Sequence, residues 1–194
     1  MRLGLTGGMG CGKSFILSCF AAHGWKTVET DAITRELLSR DAEVAAGLRK
    51  LFGVAVFDAE GKVDRAAIAK RVFGDVDALR SLESLIHPKV RAAWQDTAEG
   101  ENRPVIVEIP LLFEKNLEKL FNLNVCVTAS QTTQIERLAV RGFGKSEALA
   151  RMARQLPLRE KEQRADYVIS NDGSAAFAQA QVAEIIGKIM RCRV

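Results

Sequence analysis

No apolar run in the sequence approaches the ~20 residues that a membrane-spanning helix requires, so a helical membrane protein is not expected. No basic segment followed by an apolar stretch stands at its start, which points away from secretion and towards a cytoplasmic protein. Cysteine is scarce and scattered. Cys11, Cys19, Cys126 and Cys192 form no C-x-x-C pair, which argues against a zinc site or a disulfide framework and for reduced thiols. Aromatic residues make up only 6% of the chain, with no interleaved stacking platform, and the basic residues form no long run. A net charge of +4 and a pI near 9.0 therefore fit an enzyme handling polyanionic small molecules better than a nucleic-acid binder. Internal repeats and low-complexity linkers are also lacking.

Apolar content is ample: 47% of 194 residues is enough for one domain with a core, with room for an inserted subdomain. The stretch Gly7-Gly8-Met9-Gly10-Cys11-Gly12-Lys13-Ser14 fits G-x-x-x-x-G-K-[ST]. It follows a short apolar run, Leu3-Gly4-Leu5-Thr6, and precedes a helical one, Phe15 to Phe20. This strand, loop, helix order is the setting in which backbone N–H groups surround a phosphate chain at a helix start. Lys13 has the reach for the outer phosphates, and the Ser14 hydroxyl can ligate Mg²⁺. The Cys11 thiol is either an oxidant-sensitive group or a small filler beside the phosphates; the filler is preferred.

Further along, Trp25 to Val28 reads as a second strand, parallel to the first through a βαβ unit. A helix follows from about Ala32, with Asp31 as a candidate N-cap. Residues 41–100 read as a strand-poor helical block broken by Gly53, Gly61, Gly74 and His87-Pro88. Such a block between strands reads as an insertion over the edge of the sheet where ligands bind. Strands are expected at Val105 to Ile109, stopped by Pro110, at Leu123 to Val127 and at Tyr167 to Ser170. Helices are expected from Thr132 to Arg141, Ser146 to Gln155, Arg159 to Ala165 and Ala175 to Met190. The sum is an α/β, doubly wound, five-stranded and mostly parallel sheet of the P-loop NTPase kind. The core would be 1–40, 104–130 and 165–194, the helical acceptor-binding insertion about 41–100, and a helical lid about 131–164.

Three uses of the loop compete. A switch GTPase would carry N-K-x-D, and Asn122-Leu123-Asn124-Val125 is not that segment. A motor ATPase would end an apolar strand in Asp, where this chain has Ile109-Pro110. A small-molecule kinase needs a carboxylate near the acceptor hydroxyl, a cover for the acceptor and arginines over the transferred group. Asp31 at the end of the second strand, the inserted helices and Arg137, Arg141 and Arg151 supply such parts. As simpler alternatives, Asp31 serves only as a helix cap and the arginines form a solvated helix face.

A more selective set of segments runs through the chain. It comprises Leu5 to Ser14, Asp31 with Ile33 and Arg35, Val63-Asp64-Arg65 with Val72-Phe73, and Leu85-Ile86-His87-Pro88. It continues with Ile109-Pro110-Leu111-Leu112-Phe113-Glu114, Arg151 to Gln155, Lys161, and Ala165 to Gly173. In order and spacing the chain resembles the dephospho-coenzyme A kinase family from end to end. The resemblance implies transfer of the ATP γ-phosphoryl group to the ribose 3′-hydroxyl of dephospho-coenzyme A, with Mg²⁺, in the cytoplasm, by a monomer or weak homo-oligomer. It implies Asp31, Lys13 and Arg141 as the catalytic residues. Gly8, Gly10, Cys11, Gly12, Lys13, Ser14, Phe15, Arg137 and Asn171 would bind ATP. Thr6, Asp31, Arg65, Pro110, Leu111 and Leu112 would bind the acceptor, and Ser14 would hold Mg²⁺ with a water-mediated contribution from Asp31. His87-Pro88 is read as structural.

The chain departs from the family pattern at Glu29-Thr30-Asp31, where Asp-Ala-Asp is usual, at Cys11, at Phe15, and at Gly142-Phe143-Gly144. Another nucleotide or nucleoside kinase, and a non-catalytic nucleotide-binding or RNA-associated module, are the competing readings.

Overall fold

The computed structural model describes residues 1–191, so Cys192 lies outside the described residues. In chain order the elements are β1 (Arg2–Gly7), α1 (Lys13–Ala22), β2 (Lys26–Glu29), α2 (Thr30–Arg40), α3 (Ala42–Phe52), α4 (Arg65–Val72) and α5 (Val76–Glu99). There follow β3 (Val105–Glu108), β4 (Leu123–Thr128), α6 (Gln131–Val140), α7 (Lys145–Met152), α8 (Leu158–Arg164), β5 (Tyr167–Ser170) and α9 (Ala175–Arg191). The chain divides into two compact units, one of Met1–Val28 with the chain from Glu101 on, the other Glu29–Gly100. α2 thus groups with the helices after it, not with the strand before it.

The first unit is built on a five-stranded sheet of order β2-β3-β1-β4-β5. β1 pairs parallel with β3 on one side and with β4 on the other, and β4 pairs parallel with β5. β1 and β2 are therefore not neighbours, because β3 inserts between them; βαβ spacing sets handedness and sense, not adjacency. Every residue of β3 is buried, which is why it reads as a continuous apolar run. Leu3, Leu5, Ile106, Val125, Val127 and Ile169 from the sheet pack with Ile16, Phe20 and the α9 residues Val182 and Ile185. Crossing from β3 to β4 carries the chain over β1, so the C-terminal end of β1 is a switch point of the kind that binds ligands in open α/β sheets.

The second unit is helical. Val44, Leu48, Val56 and Ile68 form its core, with Leu37, Leu38, Phe52, Leu82 and Leu85 around them. Helices α3, α4 and α5 each start on an aspartate whose side chain accepts backbone N–H groups: Asp41 from Val44, Asp64 from Ala66 and Ala67, Asp75 from Ala78.

Two local expectations fail here. His87-Pro88 does not end a helix: α5 runs through it from Val76 to Glu99. A proline inside a helix costs ~3 kcal/mol. Ser84, whose carbonyl Pro88 cannot serve, and Pro88 itself are both exposed, so water can satisfy that carbonyl. Ile86, Val90 and Trp94 are buried on the other side, each worth about 1.5–3 kcal/mol, and this packing outweighs the proline. Asp31 is not an N-cap either. α2 begins at Thr30 with Glu29 in the cap position, and Asp31 lies exposed in the first turn.

Candidate phosphate-binding site

β1 ends at Gly7 and α1 begins at Lys13, so the glycine loop is the whole connection. Gly12 holds the N-cap position of α1 with φ 83° and ψ 35°, a left-handed conformation, and makes no side-chain cap. A Cβ on Gly12 would lie 2.3 Å from Asn171 Nδ2, and one on Gly10 (φ 79°) would lie 2.7 Å from the Gln134 carbonyl oxygen. Glycine is demanded at both positions, by backbone conformation and by crowding. The first turn of α1 consequently has no side-chain cap on its N–H groups, the arrangement that receives anions.

The loop is held by other elements. Arg137 of α6 donates from Nη1 to the carbonyls of Gly10 (3.4 Å) and Cys11 (3.3 Å), and from Nη2 to the carbonyl of Asn171 (2.7 Å). Asn171, just after β5, is buried and donates its side-chain amide to the Cys11 carbonyl at 2.8 Å. The buried Gln134 side chain is anchored to the Ala129 carbonyl at 2.7 Å. Asp172 accepts the Ser130 N–H at 2.8 Å at the start of α6, a bond that holds its carboxyl below the usual carboxylate range. The carbonyls of Gly10, Cys11 and Asn171 are thus each satisfied by a side-chain donor. Lys13 Nζ lies against the carbonyls of Gly7 (3.3 Å) and Gly8 (3.2 Å).

Cys11 is fully buried, and burial pushes its thiol up despite nearby Lys13 and Arg137. A protonated, enclosed sulfur is a packing group, not a reactive thiolate. Cys126 is similarly buried, its thiol pushed up to about 12. Ser14 is exposed at the start of α1, while Phe15 is half-buried and packs on the sheet core.

The segment after β3 is tied down from inside. Thr6 is buried, and its hydroxyl donates to the Pro110 carbonyl at 3.2 Å. Pro110 and Leu111 are half-buried, whereas Leu112 and Phe113 are wholly enclosed. Thr6 and Leu112 therefore support the corner from within rather than present a surface. Arg141 stands exposed at the C-terminal cap of α6, before Gly142 and Gly144. Its helix neighbour Arg137 is committed to backbone carbonyls, so the two arginines occupy different environments. In the second unit Asp31 is exposed on α2, and Arg65 is exposed as the first residue of α4, beside its Asp64 cap.

Comparison with known proteins identifies the kin of this chain. The family model described as dephospho-CoA kinase matches residues 1–176. The chain belongs to the dephospho-CoA kinase family. It is 37% identical to the dephospho-CoA kinase of Chlorobaculum tepidum over 198 residues, covering 98% of this chain and 95% of that protein. A solved protein from Thermus thermophilus superposes with a TM-score of 0.86 at 32% identity, over 96% of this chain and 95% of the other. The solved dephospho-CoA kinase of Campylobacter jejuni does so with a TM-score of 0.74 at 27% identity, over 100% and 98%. The α/β architecture expected from the sequence is the observed one, and membership of an ATP-dependent kinase family agrees with the small-molecule kinase reading. No described helix is long and apolar enough to cross a membrane.

One contributor to the site carries no signal in the sequence, and another gives no sign of its burial. Gln134 appears only as one more helix residue, yet it is buried against the loop. Its four-residue spacing to the buried Leu138 was the available clue. Lys161, one of the residues that carry the family resemblance, lies in a helix that reads as charged, yet it is fully buried.

Proposed function

We propose that the chain transfers the γ-phosphoryl group of ATP to the ribose 3′-hydroxyl of dephospho-coenzyme A. The observation that carries this reading is the uncapped first turn of α1 within a chain matched from 1 to 176 by the dephospho-CoA kinase model. The loop amides and Lys13 would bind and neutralise the β- and γ-phosphates. The acceptor oxygen would form its bond to the γ-phosphorus as the bond to the β–γ bridging oxygen breaks, and ADP would leave. Asp31 would orient the hydroxyl and take its proton, and Arg141 would stabilise charge on the transferred group. Gly8, Gly10, Gly12, Cys11 and Phe15 would shape the ATP pocket. Arg137 and Asn171 would act on ATP by holding the loop. Arg65, Pro110 and Leu111 would meet the acceptor, with Thr6 and Leu112 behind them.

Among the described residues no group of three or more His, Cys, Asp or Glu could hold a metal ion. That fits Mg²⁺, which takes few protein ligands and keeps waters and substrate phosphates. Ser14 would be its protein ligand, with Asp31 acting through water. When bound, Mg²⁺ would neutralise phosphate charge. The protein would work in the cytoplasm as a monomer or weak homo-oligomer, with no nucleic-acid or membrane partner.

The test is an ADP-release assay with ATP, Mg²⁺ and dephospho-coenzyme A, with identification of the product. Coenzyme A formed at turnover rates, and no comparable product from other nucleosides or nucleotides, is the expected result. No ADP above background would reject the proposal.

A further inference from the structure

Lys161 is a wholly buried cation on α8. Its ammonium group lies 2.7 Å from Glu114 Oε1 and donates to the Pro110 carbonyl at 3.0 Å. Two further bonds extend the cluster. The Pro110 carbonyl also accepts the Thr6 hydroxyl, and Glu114 Oε1 also accepts the Leu156 N–H at 3.0 Å. The ion pair and the Pro110 carbonyl thereby join the end of β1, the corner after β3, the connection between α7 and α8, and α8 itself.

The pair is a poor device for adding stability. Removing both charges from water is costly, and well-packed apolar side chains of similar volume usually hold such segments as well or better. It is also incompletely satisfied, since Glu114 Oε2 is buried without a hydrogen-bond partner. What an ion pair supplies and an apolar pair does not is direction. Here the direction is fixed at a single atom, the Pro110 carbonyl oxygen, which Thr6 fixes from the strand that leads into the phosphate loop.

We infer that Lys161 and Glu114 are positioning residues for phosphoryl transfer. They set the orientation of the Pro110–Leu111 backbone relative to the phosphate loop, and so the placement of the acceptor rather than of ATP. This inference rests on the reading of Pro110 and Leu111 as acceptor wall. Neither side chain touches substrate; both act through the Pro110 carbonyl and the Leu156 N–H.

The experiment compares Lys161→Met, Glu114→Leu, the double variant and Glu114→Gln by thermal melting and by steady-state kinetics in both substrates. Each single apolar variant leaves one buried charge unpaired and melts well below the wild type. In the double variant the melting temperature returns close to the wild-type value. Its KM for dephospho-coenzyme A, however, rises about 10- to 10²-fold, the scale of an ångström-level misplacement, while its KM for ATP stays within about twofold. Glu114→Gln keeps the side-chain volume and the bond to Leu156, and it covers the case of a double variant that does not fold. It too raises the acceptor KM selectively. Wild-type kinetics in a stable double variant, or equal KM changes for both substrates in either variant, would overturn the positioning role. A Leu111→Ala variant separates the two ideas. If its acceptor KM is unchanged, the wall reading fails by itself; if it rises while the double variant is kinetically normal, only the positioning role fails.

Discussion

Helix α1 and helices α3, α4 and α5 begin in opposite ways. In the helical unit, Asp41, Asp64 and Asp75 close the starts of α3, α4 and α5 with their own carboxylates. In the sheet unit, α1 begins on Gly12, which has no side chain to offer. A helix start satisfied by its own cap is finished as structure. One begun on glycine, with no side chain on its N–H groups, is the arrangement that receives an anion from outside. Arg137 and Asn171 hold the loop that leads into this open start by donating to its carbonyls. The same division appears in the candidate side chains. Most of those of the sheet unit are at least half-buried or tied to backbone, with Ser14 and Arg141 the exposed exceptions, whereas Asp31 and Arg65 stand exposed on helices.

The contrast is broken most severely at Lys13. Lys13→Ala is expected to lower kcat/KM by about 10³-fold or more and to abolish the rise in melting temperature that ATP gives the wild type. The scan with and without ATP checks it: an undiminished ATP shift would mean that the open helix start binds nothing through this residue. Next comes Asp31→Asn. An exposed side chain in a helix first turn contributes little to folding, so the variant should melt like the wild type and bind ATP normally. Its turnover should nevertheless fall by about 10²-fold. Near-normal turnover would remove Asp31 from the proton transfer.

Much of the architecture is legible in the sequence because it depends on local pattern. The apolar runs of β1, β3 and β4, and the glycine loop followed by a helical stretch, read correctly as an open α/β sheet with a phosphate loop. The order of the strands does not: nothing in Val105 to Glu108 says that it inserts between β1 and β2. Pro88 shows a propensity overruled by distant packing, as Ile86, Val90 and Trp94 carry α5 past it. The site divides likewise. Gly12 and Lys13 announce themselves by motif. Gln134, Asp172 and the Lys161–Glu114 pair are brought together only by folding, across separations of 42 to 51 residues for the Ser130–Asp172 and Lys161–Pro110 bonds. A charged heptapeptide such as Leu158–Arg164 gives no sign that its central lysine is the buried one.

Subtler substitutions sharpen the comparison between the two kinds of helix start. Gly10→Ala places a Cβ 2.7 Å from a backbone oxygen at a φ of 79°, a contact that no side chain can yield to. Strain of about 2–3 kcal/mol should appear as a lower melting temperature together with weakened ATP binding, since the loop is distorted with the fold. Loss of stability with full ATP affinity would mean that the loop shape tolerates more than this crowding implies. Asp64→Ala removes a cap of the ordinary kind, with an expected cost of about 1 kcal/mol by denaturant titration and no change in ATP affinity. An ATP effect comparable with that of Gly10→Ala would erase the distinction between the two helix starts.

The finest test is by pH, at Asp75. Its carboxyl lies below the usual carboxylate range, first through the Ala78 N–H it caps and then through Arg71 at 2.8 Å. A folded-state pKa depressed in this way contributes stability that is complete above the unfolded value near 3.8 and is lost as pH falls through the folded value. Asp75→Asn keeps an amide oxygen able to cap but removes the charge. Its melting temperature should therefore fall slightly short of the wild type at neutral pH, and the gap should close in acid, as pH falls below the unfolded value and through the depressed folded one and the wild-type carboxyl protonates. A gap that stays constant from pH 7 to pH 2 would show that the aspartate acts at that helix start through shape alone. Charge would then have no part in distinguishing α3, α4 and α5 from α1.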